Sequence, residues 1–147
     1  MPQIENHLSI SVLAPARPQL ALDLFKAIRE RGCDVEDCRF APIGDRLAAS
    51  LVVSGNWSAL GRLETALPRL ATKLELKVQF TRCGPRPQNP EFRAYAVDVV
   101  APQQQDLLLH LLEFFHAQDV DVAEIVTQKY QSSYTGAGMC SVQMVLH

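Results

Sequence analysis

The sequence predicts an α+β protein made of two copies of one βαββαβ module, the second incomplete (βαββ). Three observations predict it: a repeat at a spacing of 87 residues, an alternation of period-two and helical apolar patterns in a fixed order, and a proline-rich break between the copies.

The repeat needs no gaps. Sliding the chain by 87 residues lays Val12 on Val99, Ala14 on Ala101 and Pro15 on Pro102. Leu20, Leu22 and Leu24 fall on Leu107, Leu109 and Leu111, and Asp34-Val35 falls on Asp121-Val122. Ile10/Val97, Leu13/Val100, Phe25/Leu112 and Ile28/Phe115 keep apolar character. A shared apolar period accounts for some of these matches, but not for the paired Ala-Pro and Asp-Val.

In the first copy, Leu8, Ile10 and Val12 alternate with Ser9 and Ser11, the period of a half-buried strand. Pro15 and Pro18 break the strand, and proline in a first helical turn forfeits no hydrogen bond. Ala21, Leu24, Phe25 and Ile28 then form a helical stripe that Gly32 stops. "CDVEDCRF" is a second strand, "PIGD" a turn and "RLAASLVVS" a third strand returning antiparallel. Asn56 caps a second helix whose stripe is Leu60, Leu63, Leu67 and Leu70, with Pro68 expected to end or kink it. "KLELKVQF" is the fourth strand, with Leu74, Leu76, Val78 and Phe80 on one face. This order gives a four-stranded antiparallel sheet under two helices, the ferredoxin-like plan.

"CGPRPQNPEF" has three prolines in ten residues and reads as a stiff linker. The expected organisation is a first module over 1–82, a linker over 83–92 and a partial second module over 93–147. The second copy supplies "AYAVDVV", a helix in "QQDLLLHLLEFFHAQ", then the strands "VDVAEIVTQKY" and "MCSVQMVLH". The sequence then ends at His147, before a second helix and fourth strand. "AYAVDVV" is therefore expected as an open sheet edge. Such an edge needs cover from another chain, hence a homo-oligomer, unless the sequence is a piece of a longer protein.

Composition narrows the function. Fourteen Lys and Arg against sixteen Asp and Glu give a net charge of −2, no electrostatic footprint for nucleic acid. The densest basic run, "KAIRERG", reads as a solvated helix face. No apolar run reaches the ~20 residues that span a bilayer, and the start lacks a signal-peptide pattern, so a cytoplasmic protein is expected. Cys33, Cys38, Cys83 and Cys140 have no metal or disulfide spacing. His110 and His116 lie six apart on one helix, off the i, i+4 ligand spacing. Trp57, beside the expected cap, reads as a staple onto the sheet. G-x-S-x-G, HExxH and the P-loop are all missing.

Tandem modules that each run strand, loop, helix, then Asp-Val-x-Asp/Glu resemble ACT domains. Within that class the chain resembles the glycine cleavage system transcriptional repressor family. The likeness is carried by "GCDVEDCRFAPIGD", "LVVSGNWSALGRLETALPRLATKLELKVQFTR", the linker "GPRPQNP" and "QDVDVAEIVTQ". It implies a regulator that contacts a transcription activator rather than DNA and performs no catalysis. A second reading is an amino-acid sensor, for glycine. A third is an acylphosphatase-like enzyme, which would need Arg17 beside a cradle of backbone amides and a water-placing Asn; Pro15 and Pro18 lack N–H groups and no such Asn is evident.

The family's first joint resembles Gly-x-Asp-Arg-Pro-Gly. Here it is Ala14-Pro15-Ala16-Arg17-Pro18-Gln19, so Arg17 and Pro18 match and both glycines and the aspartate are replaced. The candidate effector residues are therefore Ala14, Ala16, Arg17, Pro18 and Gln19, with Asp34, Glu36 and Asp37 at the second strand. Arg17 would hold a carboxylate through a bidentate pair, and the acids would receive an amino group. Asp121 and Glu124 hold the equivalent places in the second copy. No catalytic residue, metal or cofactor is expected.

Overall fold

The computed structural model describes residues 6–88, 91 and 93–147; the rest of the proline-rich stretch, residues 89, 90 and 92, lies outside them. The elements are β1 (Asn6–Pro15), α1 (Leu20–Glu30), β2 (Asp34–Ile43), β3 (Arg46–Gly55), α2 (Trp57–Lys73), β4 (Lys77–Cys83), β5 (Tyr95–Pro102), α3 (Leu107–Ala117), β6 (Val122–Gln131) and β7 (Gly138–Leu146). They form two units that divide between Arg86 and Pro87.

In the first unit the sheet order is β2-β3-β1-β4, all antiparallel. Alternation decides what each strand buries. Leu8, Ile10, Val12 and Ala14 of β1 and Ala49, Leu51 and Val53 of β3 point to one face. Onto that face pack Leu20, Leu24, Ala27 and Ile28 of α1 and Ala59, Leu60, Leu63, Leu67 and Leu70 of α2. Spacings of three and four residues along each helix keep these side chains on one stripe. The predicted ferredoxin-like plan is present.

In the second unit β5, β7 and β6 form a three-stranded antiparallel sheet in that order. Cys140, Val142, Met144 and Leu146 of β7 are its buried centre. Leu107, Leu108, Leu111, Leu112 and Phe115 of α3 pack against it, yet none of them is fully buried. Among the described residues β5 pairs with β7 alone, so its other edge is open.

The repeat at 87 residues reappears in backbone detail. Both α1 and α3 start from a residue in the left-handed region, Gln19 at φ 64° and Asp106 at φ 61°. Both stop through another, Gly32 at φ 80° and Asp119 at φ 59°. The closing bonds match as well: Cys33 N–H to the Ile28 carbonyl at 3.3 Å, and Val120 N–H to the Phe115 carbonyl at 3.0 Å. Both following strands bulge at the same place, between Val35 and Asp37 and between Val122 and Glu124.

Several local expectations need correction. Pro68 does not end its helix; α2 runs on to Lys73. The fourth strand starts at Lys77, not Lys73. Leu74 is the C-cap of α2, Glu75 takes φ 55°, and the Leu76 N–H bonds back to the Ala71 carbonyl at 2.8 Å. Leu74 and Leu76 are nonetheless buried in the core, while Phe80 is exposed. The turn of "PIGD" narrows to Gly44 and Asp45, with Gly44 at φ 57°. Asn56 caps α2 as expected: its side chain accepts the Ala59 N–H at 2.8 Å.

Candidate functional site

The first joint is built by β1 delivering residues 16–19 to the start of α1. Ala14 is buried in the core, whereas Ala16, Pro18 and Gln19 are exposed and Arg17 is half-buried. Gln19 makes the turn: its left-handed backbone points its carbonyl along α1, where it accepts the Asp23 N–H at 2.9 Å. No side chain caps this helix start. Its first N–H groups, with the positive end of the helix dipole, favour a negative group there.

Arg17 is the polar group of the joint. Its Nη1 lies 3.5 Å from Asp23 Oδ2, a carboxylate that sequence reasoning passed over. The signal was available, since an acid in a first helical turn complements the dipole. Among the described residues Arg17 Nη2 is buried without a hydrogen-bond partner. An unsatisfied buried donor of this kind costs about 1–3 kcal/mol, and an incoming carboxylate would satisfy it.

The acids of the second strand are elsewhere. Asp34 pairs across the sheet with Ser54, while Pro15 pairs with Arg46. Eight residues of β3 separate those levels, roughly 26 Å at the strand rise. Arg17 and the group Asp34, Glu36 and Asp37 thus stand at opposite ends of one sheet, and a single unit does not bring them together.

Each acid has local work. Asp34 accepts the Val35 N–H at 3.0 Å. Glu36, the extra residue of the bulge, accepts the hydroxyl of buried Ser54 at 2.6 Å. Asp37 accepts from Arg39 at 2.7 Å and has Arg86 at 3.9 Å. Asp121 exchanges backbone bonds with His147 and continues the second sheet.

The second joint is closed from within. Gln103 donates from Nε2 to the Met139 carbonyl at 3.3 Å and from its backbone to the Gly138 carbonyl at 3.0 Å. A Cβ on Gly138 would come within 2.8 Å of the Gln103 side chain, so glycine makes room for this plug. The two joints share a backbone path but not their side-chain contacts.

Trp57 does not staple onto the sheet. It is 73% exposed, with the Arg82 guanidinium 4.8 Å from the ring centroid. Arg82 also donates to Glu64 from Nε at 3.0 Å. Sequence reasoning missed this trio because Arg82 lies on β4 and meets α2 only in the fold.

The four cysteines are free thiols. Burial pushes the Cys33 thiol up from its ordinary value, against the pull of Arg62 and Arg82. Burial raises Cys38 as well, with Arg39 opposing and Asp37 adding to the rise. Both shifts favour the protonated thiol over the nucleophilic thiolate. Among the described residues no three His, Cys, Asp or Glu side chains converge as a metal site, and no helix is long and apolar enough to cross a membrane.

The glycine cleavage system transcriptional repressor of Escherichia coli (strain K12) is 25% identical over 143 residues, covering 97% of this chain and 75% of that protein. The protein of the same name from Shigella flexneri gives the same values. Two solved structures share the fold. One, a putative glycine cleavage system transcriptional repressor, has a TM-score of 0.71 at 21% identity, over 97% of this chain and 81% of that one. The other, an unknown protein from Galdieria sulphuraria, has a TM-score of 0.72 at 18% identity, with the same coverage. A family model described as the ACT domain matches residues 6–81, more than half of the sequence. Those bounds run from the first residue of β1 to within two residues of the end of β4, taking in strands from all four positions of the sheet and both of its helices. The chain belongs to the ACT-domain family.

Proposed function

We propose that this protein is a cytoplasmic regulator of glycine-cleavage gene expression that acts by contacting a transcription activator, without binding DNA and without catalysis. The observation that carries the reading is the match to the E. coli repressor through 97% of the chain, both units included. In this reading residues 1–82 and 93–147 are two ACT-type modules joined by 83–92. Exposed apolar side chains support contact with protein. Leu109 and Phe114 of α3 are 52% and 58% exposed, and β5 offers an open edge. Cover by a second copy makes the protein a homo-oligomer.

The test is a reporter driven by a glycine-cleavage promoter in cells lacking their own repressor. Expression of this chain lowers the reporter only when the activator is present, and the purified chain leaves promoter DNA unshifted. Repression without the activator, or a direct DNA shift, overturns the reading.

A second reading has its own observation. The partnerless Nη2 of Arg17, beside an uncapped helix start, suits the carboxylate of a free amino acid such as glycine. Calorimetric titration with glycine, then with the other amino acids, tests it. Arg17→Ala abolishes the heat if the reading is right; no heat with any amino acid ends it. An acylphosphatase-like reaction has less support. Pro15 and Pro18 carry no N–H group, so the joint lacks the cradle of backbone amides that a phosphate needs.

A further inference from the structure

Two hollows lie along the solvent side of α1 and α2, and their charges differ. One is lined by Asp23, Lys26, Glu30, Arg31 and Lys73 among others, so two acids stand among three bases within it. The other, about 480 Å³ and open to solvent, is lined by Arg31, Ser58, Gly61, Arg62, Thr65, Ala66 and Arg69. Three guanidiniums and two hydroxyls face it, with no carboxylate in the lining.

Part of this charge is used within the fold. Arg31 Nη1 donates to the Ala27 carbonyl at 2.9 Å. Arg62 donates to Ser58 Oγ at 2.7 Å and to the Arg31 carbonyl at 3.3 Å, closing the end of α1. Each guanidinium carries five N–H donors, so both keep donors to spare. Arg69 has no ion pair among the described residues.

Spacing says what fits. Ser58, Arg62, Thr65 and Arg69 recur at steps of four, three and four residues, one ridge of α2. Arg62 and Arg69 are two turns apart, about 10 Å along the axis. Enclosed hollows suit small molecules, which are held on most of their surface; this one is a shallow track. A second helix with carboxylates at i, i+3 or i+4, and i+7 repeats the same interval.

We infer that the Arg31–Arg62–Arg69 track is a docking surface for an acidic helix of a partner protein. It rests on the regulatory reading only for who the partner is. The assay below uses neither promoter nor activator, so the two can fail separately.

The probe is a fluorescein-labelled, alanine-rich helical peptide with glutamates along one face, titrated with the full chain by anisotropy at low salt. A scrambled peptide of the same composition is the comparison. Saturable binding of the aligned peptide, tighter than that of the scrambled one and weakened by salt, is expected. Arg62→Gln and Arg69→Gln each weaken it by about two- to fivefold. Arg46→Gln and Lys129→Gln, equal charge changes elsewhere, leave it unchanged. Should Arg62→Gln loosen the end of α1, Arg69→Gln still decides, because Arg69 holds no ion pair or hydrogen bond to another element among the described residues. Absent binding, equal binding of both peptides, or equal weakening by the distant variants overturns the inference. So does displacement of the peptide by millimolar inorganic phosphate or by a single-stranded oligonucleotide, which makes the track a general anion site.

Discussion

Replacing Gln19 by glycine is expected to stabilise the first unit. The turn from β1 into α1 holds Gln19 at φ 64°, ψ 5°. In that region an L-residue crowds its Cβ against the following carbonyl, at a cost of roughly 1–2 kcal/mol. Glycine removes the crowding, and its freer unfolded chain returns about 0.5–1 kcal/mol of the gain. The net is a stabilisation of about 0.5–1 kcal/mol. Trp57 is the single tryptophan and stands at the start of α2, so its fluorescence is a probe placed within this unit. With a urea slope near 2 kcal/mol per molar, the midpoint rises by roughly 0.3–0.5 M. Gln19→Ala keeps its Cβ and gives no comparable rise. A midpoint that stays or falls with glycine, or an alanine variant that matches it, refutes the argument that strain is stored at this joint.

Further expectations follow from burial and titration. Leu63→Ala, at a fully buried site between α2 and the sheet, lowers stability by about 2–5 kcal/mol in the same urea assay. Asn56→Ala removes the bond to the Ala59 N–H and costs about 1 kcal/mol. Trp57→Ala costs less than about 1 kcal/mol, since only an exposed cation–π contact is lost; that variant is followed by circular dichroism, and a larger loss would mean that Trp57 packs on the core. Cys33 holds its proton more tightly folded than unfolded, so its contribution is intact below the ordinary thiol value of 9.0 and is lost as pH climbs above it. Cys33→Ala flattens that alkaline decline in stability, and an unchanged pH profile would remove Cys33 as its source.

Legibility divided along the line between local and long-range order. The buried stripes of α1 and α2 were readable because a helix repeats its faces within one turn. The strands β1 and β3 were readable because alternation is a property of neighbours. The cap at Asn56 was readable because its partner lies three residues away. Leu74 and Leu76 were misassigned for the same reason: both are buried, so the alternation is real, but a left-handed Glu75 places them in a helix end instead of a strand.

The candidate site was half legible. Arg17 and its joint stand out in the sequence, and the structure adds the Asp23 contact and the partnerless Nη2. The exposure of Trp57 was not readable, because its neighbour Arg82 comes from another element.

By itself, the sequence determined that the chain is written twice. The 87-residue offset carries through to the left-handed pairs Gln19/Asp106 and Gly32/Asp119, because a turn is set by the few residues that make it. Only the tertiary structure decided which of those residues meet. Antiparallel pairing sends Arg17 to one end of the sheet and Asp34, Glu36 and Asp37 to the other. Helix packing gathers Arg31, Arg62 and Arg69 from two helices into one track. Register and packing join residues far apart in the chain, and no local period encodes that distance.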